Sequence, residues 1–304
     1  MTNNTRKALI FGKNGQLSWE LQRTAPNDFE VLALGSAEID LLDRLAVQKA
    51  VDSFSPDLVI NAAAYTAVDK AESDEQGAFE LNQHAVANIL DAVESRTGTK
   101  LIHVSTDFVF DGKTSEPYRT DDQINPLSVY GSSKAAGESE IISRNLPGSL
   151  IVRTSWVYSV HGANFVKTML RLMADENREQ LNVVADQIGT PTWAYSLARA
   201  LWCAGVQELT KPGKTARIYH WTDAGVASWY DFAVAIQEIG LEQGLLNHQV
   251  DVNPITQSMY PTPATRPTFS VMDKSAFEDN YSVQTRHWRS QLKYMLRELL
   301  ADIS

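Results

Sequence analysis

Short apolar runs alternate with longer amphipathic stretches through the first half of the chain, and this alternation constrains the fold more than any other feature. The runs are Ala8-Leu9-Ile10-Phe11, Val31-Leu32-Ala33-Leu34, Leu58-Val59-Ile60, Leu101-Ile102-His103-Val104 and Leu150-Ile151-Val152. Between them lie a glycine-containing turn followed by Leu17 and Leu21, then Leu41 to Phe54, Phe79 to Val93, and the stretch around Tyr130 to Ile142. A strand that is apolar along its length is covered on both faces, and helices returning between such strands provide the cover. The pattern predicts an α/β fold with a doubly wound parallel sheet, whose ligands sit at the carboxyl ends of the strands. From about Trp156 the rhythm weakens and Pro191, Pro212, Pro254, Pro261, Pro263 and Pro267 interrupt short helical patterns, which predicts a smaller C-terminal lobe.

Composition excludes several partners. In 304 residues with 21% charged and 43% hydrophobic side chains there is enough apolar material for a sizeable core and no sign of disorder. The formal charge of −10 leaves no basic field for nucleic acid, although a helix N-terminus binds a nucleotide phosphate whatever the net charge. Cys203 is the single cysteine, so neither an intrachain disulfide nor a four-thiolate metal site can form, and its place beside Trp202 suggests packing. The polar leader Met1 to Lys7 does not fit a signal peptide, and no run approaches the roughly 18 apolar residues of a spanning helix. A soluble, cytoplasmic protein with no membrane partner is expected.

Gly12-Lys13-Asn14-Gly15-Gln16-Leu17-Ser18 follows the first apolar run and opens the first amphipathic stretch, the context of a Rossmann dinucleotide loop. Gly12 supplies a tight turn, Gly15 admits a pyrophosphate to the backbone, and the free N–H groups of the helix start meet its charge. Ser18 replaces the usual third glycine, and an ordinary glycine turn reads the same way. The acidic or basic residue expected after the second strand is missing at Gly35-Ser36, so NADH and NADPH both stay open. Asp40 and Leu41 follow closely enough to approach the adenine end. Asn61-Ala62-Ala63-Ala64-Tyr65-Thr66 closes the third strand with small residues against which a cofactor or a tightly packed neighbour can lie. The expected division is residues 1–155 mainly for the dinucleotide and 156–304 mainly for the substrate, with a soft boundary that the chain can cross.

Tyr130-Gly131-Ser132-Ser133-Lys134 places a phenol and an ammonium four residues apart on one helix face. A free phenol, with a pKa near ~10, is a poor proton shuttle at neutral pH; a neighbouring cation favours phenolate and brings it into range. Thr106, at the end of the fourth strand in Val104-Ser105-Thr106-Asp107, can bond a carbonyl and the phenol together. Each feature alone has a plainer reading, as a solvated helix face or a turn cap; in this order, after a glycine loop, they point to a carbonyl reductase. Asn82 suits a proton-relay water or a capping contact equally. His103, inside an apolar strand, reads as a core histidine.

The motifs together resemble the dTDP-4-dehydrorhamnose reductases, within the extended short-chain dehydrogenases. The resemblance runs through Phe11 to Leu17, Asn61 to Glu72, Ser105 to Gly112, Asn125 to Lys134, Arg153 to Tyr158, Asp186 to Thr192 and Arg266-Pro267. It implies reduction of the C4 ketone of a dTDP-4-keto sugar with hydride from NADPH or NADH, with Tyr130 as proton donor, Lys134 as its electrostatic partner and Thr106 tuning the transfer. Thr106, Asp107 and Trp156 would touch the sugar nucleotide. Gly12, Asn14, Gly15 to Leu17, Asp40, Leu41, Ala64 to Thr66, Val104, Tyr130 and Lys134 would line the cofactor. Phe108 stands where a tyrosine is common. Some members dimerise through magnesium held by glutamates, and Glu20 and Glu298 match two of these, as would solvated helices; no metal site is assigned. Another nucleotide-sugar reductase or epimerase, or a non-catalytic dinucleotide-binding relative, remains open.

Overall fold

The computed structural model describes residues 5–303, so residues 1–4 of the polar leader lie outside the described residues. In chain order it begins β1 (Arg6–Phe11), α1 (Gln16–Arg23), β2 (Phe29–Leu34), α2 (Arg44–Phe54), β3 (Leu58–Asn61), α3 (Val68–Ala71), α4 (Glu75–Phe79), α5 (Ala85–Glu94), β4 (Lys100–Thr106), α6 (Val129–Arg144) and β5 (Leu150–Thr154). It continues β6 (Val157–Tyr158), α7 (Phe165–Met173), β7 (Gln180–Val184), β8 (Ile188–Gly189), β9 (Thr192–Trp193), α8 (Ala194–Thr210), β10 (Arg217–His220), β11 (Ala227–Ser228), α9 (Trp229–Glu242), β12 (Asp251–Ile255), α10 (Ser275–Tyr281) and α11 (Trp288–Ile303).

Six of the strands form one parallel sheet in the order β10-β5-β4-β3-β1-β2. The chain steps from β1 outward to β2, crosses back to β3 on the other side of β1, and then proceeds in one direction. The winding therefore reverses at β1 and β3, which opens a crevice beyond their carboxyl ends.

Alternation along the strands divides the core. Ala8, Ile10, Leu58, Ile60, Ile102, Leu150 and Val152 pack under Leu17 and Leu21 of α1 and Leu197 and Leu201 of α8. Leu9, Phe11, Val59, Leu101 and Ile151 face the other way, against Val47 and Val51 of α2, Ile89 and Leu90 of α5, and Ile141 of α6. A third core joins α7, α9 and α11 with Leu181 and Val183 of β7. Residues beyond 156 contribute to both bodies, because α8 and β10 complete the main sheet while the other elements build the lobe beside it.

The stretch Phe79 to Val93, one helix by its apolar spacing, is interrupted by a turn of π-helix over Glu80–His84. Asn82, nearly fully buried in that turn, accepts from the Tyr65 N–H at 2.9 Å and donates to the Tyr65 carbonyl at 3.2 Å. Its remaining amide hydrogen reaches Ser133 Oγ at 2.9 Å. The extra residue in the turn thus turns an amide inward to satisfy the strip 64–66. Asn82 serves as a backbone clamp on that strip.

Candidate active site

The crevice between β1 and β3 is shaped by Gly12. Its φ of +97° favours glycine, and a Cβ there would lie 2.8 Å from the Ala63 nitrogen. With Gly15 as N-cap, α1 begins without a side-chain cap or a first-turn acid. Gln16 and Leu17 therefore open a helix whose positive end faces the crevice, a fit for a pyrophosphate. Gln16 Oε1 also accepts from Asn164 of the smaller lobe at 2.9 Å, and His161 Nε2 lies 3.2 Å from the Asn14 carbonyl. Ser18 is fully buried with its hydroxyl unpartnered, so it occupies a place built for packing.

A carboxylate from three residues further on turns back to the position after β2. Glu38 accepts from the Gly35 N–H at 2.9 Å and from Lys13 Nζ at 2.5 Å, while Gly35 lies against Lys13 and Asn14. Asp40, by contrast, is exposed and caps the Leu42 N–H at 2.9 Å, while Leu41 is buried in the core below. On the far wall, Ala64, Tyr65 and Thr66 form the strip held by Asn82, and the Tyr65 hydroxyl donates to Asp74 at 2.9 Å.

Thr106 ends β4 and Tyr130 and Lys134 come from the start of α6, where Ser128 accepts from the Gly131 N–H at 3.1 Å. The three side chains converge at the carboxyl edge of the sheet. The Tyr130 phenol, edge-on to Phe108 at 5.4 Å, is pushed up to about 12 by burial, with a Thr106 hydrogen bond opposing and the Asp107 charge adding. Thr106 Oγ1 gives its one hydrogen to Asp107 Oδ1 at 3.1 Å, and burial pushes that carboxyl up to about 6. Lys134, 1% exposed, donates to the Val104 carbonyl at 2.7 Å, and burial pushes its amine down to about 8 against the pull of Glu138. Phe108 brings no hydroxyl to this corner.

The distant motifs meet at Trp156. Its φ of +49° is rare for a bulky side chain and is held from several sides. Ser155 Oγ donates to the Thr190 carbonyl at 3.0 Å, the Thr192 N–H donates to the Trp156 carbonyl at 3.2 Å, and the indole stacks on Trp229 with centroids 3.6 Å apart. A Cβ on Gly189 would come within 2.7 Å of this indole, so the Asp186 to Thr192 stretch is cut to its shape. Beyond Trp229 opens a cleft of about 660 Å³, walled by Phe165, Met169 and Leu172 and edged by Arg178 and Arg266. Arg266 grips Asp69 of α3 through both oxygens at 3.0 and 2.7 Å, and the buried Nε of Arg178 has no partner.

The family model described as the RmlD substrate binding domain matches residues 6–301. The chain belongs to the dTDP-4-dehydrorhamnose reductase family. The reductase of that name from Aggregatibacter actinomycetemcomitans is 42% identical, with 94% of this chain and 97% of the relative covered. Two solved dTDP-4-dehydrorhamnose reductases superpose with TM-scores of 0.87: that of Clostridium acetobutylicum at 37% identity and that of Bacillus anthracis, in complex with NADP, at 32%. Each alignment covers 97% of this chain and 99% of the other.

As a dTDP-4-dehydrorhamnose reductase family member the chain departs from the magnesium-bridged pattern in a specific way. Glu20 and Glu298 do approach one another, but Arg23 lies between them, its Nε 2.5 Å from Glu20 and its Nη2 2.8 Å from Glu298. Trp19 and Tyr195 cover the guanidinium at 4.8 and 4.9 Å, and Glu20 Oε1 is already taken by Ser159 Oγ at 2.7 Å. Among the described residues no group of three or more metal-ligating side chains occurs. Within the chain Arg23 takes the place between the two carboxylates, and on their own these described residues do not form a magnesium site. EDTA and added magnesium should each leave the melting temperature unchanged, whereas Arg23→Met should lower stability by about 1–2 kcal/mol in urea denaturation, by stranding the buried Glu20 carboxylate. An EDTA-induced drop in the parent protein would refute the assignment.

Proposed function

We propose that the chain reduces the C4 ketone of dTDP-4-dehydro-L-rhamnose to dTDP-L-rhamnose with hydride from NADPH or NADH. The observation that carries this reading is the convergence of Thr106, Tyr130 and Lys134 at the carboxyl edge of the sheet that also bears the Gly12 crevice. The nicotinamide cofactor supplies the hydride. As the ketone oxygen gains negative charge, Tyr130 delivers its proton and the Thr106 hydroxyl, turning its one hydrogen away from Asp107, donates a hydrogen bond, both from a buried corner where such donors act strongly. A phenol held fully protonated suits the reductive direction, and the Lys134 ammonium lowers the cost of leaving phenolate behind. The apolar wall of the cleft suits the nucleotide base, and the unpartnered Arg178 and the neighbouring Arg266 suit its diphosphate.

The finer preference between cofactors rests on Lys13 and Glu38. The carboxylate accepts from a ribose hydroxyl, the ammonium meets a 2′-phosphate, and each is now satisfied by the other. Oxidation of both reduced cofactors is expected only with the 4-keto-rhamnosyl nucleotide present, and Glu38→Gln should shift the kcat/KM ratio toward NADPH by about 5-fold. No oxidation with either cofactor, or equal oxidation with unrelated keto sugars, would end this reading.

A further inference from the structure

The hydrogen bonds behind Lys134 allow only one arrangement of protons. Asn61, at the end of β3, accepts from the Ala63 N–H at 3.1 Å, and only an oxygen can do so. Its other terminus is therefore the amide nitrogen, which donates to His103 Nδ1 at 3.0 Å. A neutral imidazole whose Nδ1 accepts carries its hydrogen on Nε2. That Nε2 lies 3.2 Å from Lys134 Nζ, and Nζ itself donates to the Val104 carbonyl. The three side chains are all nearly fully excluded from solvent. The Nε2–H hydrogen can be received only by the lone pair of an uncharged amine; an ammonium would oppose N–H to N–H.

We propose that His103, its tautomer locked by Asn61, is a positioning residue whose Nε2–H favours the uncharged form of the Lys134 amine and so sets the pH at which Lys134 gives up its proton. This rests on the reductase reading, in which the charged Lys134 assists Tyr130. His103 stays neutral throughout, since burial and the Lys134 charge push it well below its usual range. Burial also disfavours the charged Lys134 and Glu138 favours it, and the His103 contact adds to the first of these. Glu138, one turn along α6, spends both oxygens on Arg153 of β5 at 2.9 and 2.6 Å. Tyr130 is a neutral phenol, and Asp107 faces Thr106. Removing the Nε2–H donor makes the charged amine easier to keep, so the pH at which the free enzyme loses its Lys134 proton rises.

The test is the pH profile of kcat/KM, which reports groups of the free enzyme. The parent should lose activity above about pH 8, where Lys134 discharges. His103→Leu should move that alkaline limb up by about 1 pH unit. Asn61→Ala should move it the same way while keeping the imidazole, because the freed ring can place its hydrogen on Nδ1 and accept at Nε2. Variants that melt lower but keep the limb in place would show that His103 only packs. Independently of any variant, nitrogen-15 NMR of the histidine-labelled parent should find His103 bare at Nδ1 and protonated at Nε2, and a protonated Nδ1 would overturn the proposal. Failure of the reductase reading is distinguishable: the parent would then show no keto-sugar-dependent oxidation at all, whatever the tautomer.

Discussion

Replacing Tyr130 by phenylalanine should reduce turnover of the keto sugar by at least about 100-fold, the lower end of what one positioned proton donor contributes, with the melting temperature within a few degrees of the parent. The hydroxyl is the only atom lost. The ring keeps its edge contact with Phe108 and its packing against Ala71, Ala78 and Val129, so the fold loses one hydrogen bond to Thr106 and no apolar contact. The chemistry loses more, because the proton for the new alkoxide must then come from solvent that the buried corner excludes. Rates measured at saturating cofactor and substrate separate this from weakened binding: kcat should collapse while KM changes little. Full activity in the variant would remove Tyr130 from the mechanism.

The second large effect concerns stability. Glu138→Ala should destabilise the protein by about 3–5 kcal/mol, read as a lower urea midpoint, because it leaves the Arg153 guanidinium buried without its carboxylate. Both members of the pair are almost completely enclosed, at 1% and 2% exposure, and the remaining neighbours of Arg153 are the Phe110 ring at 5.1 Å and His220 Nε2 at 3.5 Å. Neither can replace a bidentate anion, and burial and the Arg153 charge push His220 down to about 3, so it offers no counter-charge. Glu138 sits one turn after Lys134 on the helix that carries Tyr130, so the pair also fixes that helix to β5. Activity should fall with stability in this variant, in contrast to Tyr130→Phe. A loss below about 1 kcal/mol would mean that water reaches Arg153 and that the pair is a surface-like contact.

Much of the sheet was legible in the chain, as was the placing of the candidate site's central residues at its strand ends. Strands covered on both faces must be apolar throughout, and Gly12, Thr106, Tyr130 and Lys134 stand at fixed distances from the ends of such strands. What escaped was set by three-dimensional proximity. β10 has only Ile218 and Tyr219 as apolar residues and follows a stretch with Pro212, so nothing local marks it as the sixth strand of a sheet begun two hundred residues earlier. Glu38 lies in a turn after β2, and only the fold of that turn brings its carboxylate back onto Gly35 and Lys13. The π-turn at Asn82 answers a demand from the Tyr65 backbone, which no helical periodicity contains. Arg23 was one charge among many on an amphipathic helix until two glutamates, one near the far end of the chain, closed around it. His103 does read correctly as a buried and partnered histidine, but its partners come from β3 and α6.

The late arrival of β10 has a consequence for synthesis. A nascent chain that has emerged only through Thr154 already holds five of the sheet's strands, with β5 as an open edge rich in Leu150, Ile151 and Val152. Such an edge invites pairing with another chain. It is covered only when His220 has left the ribosome and β10 has docked, so for the span of roughly sixty-six further residues the edge is open to pairing with another chain. The interval between those two strands is the stretch of synthesis during which this edge has no partner in its own chain.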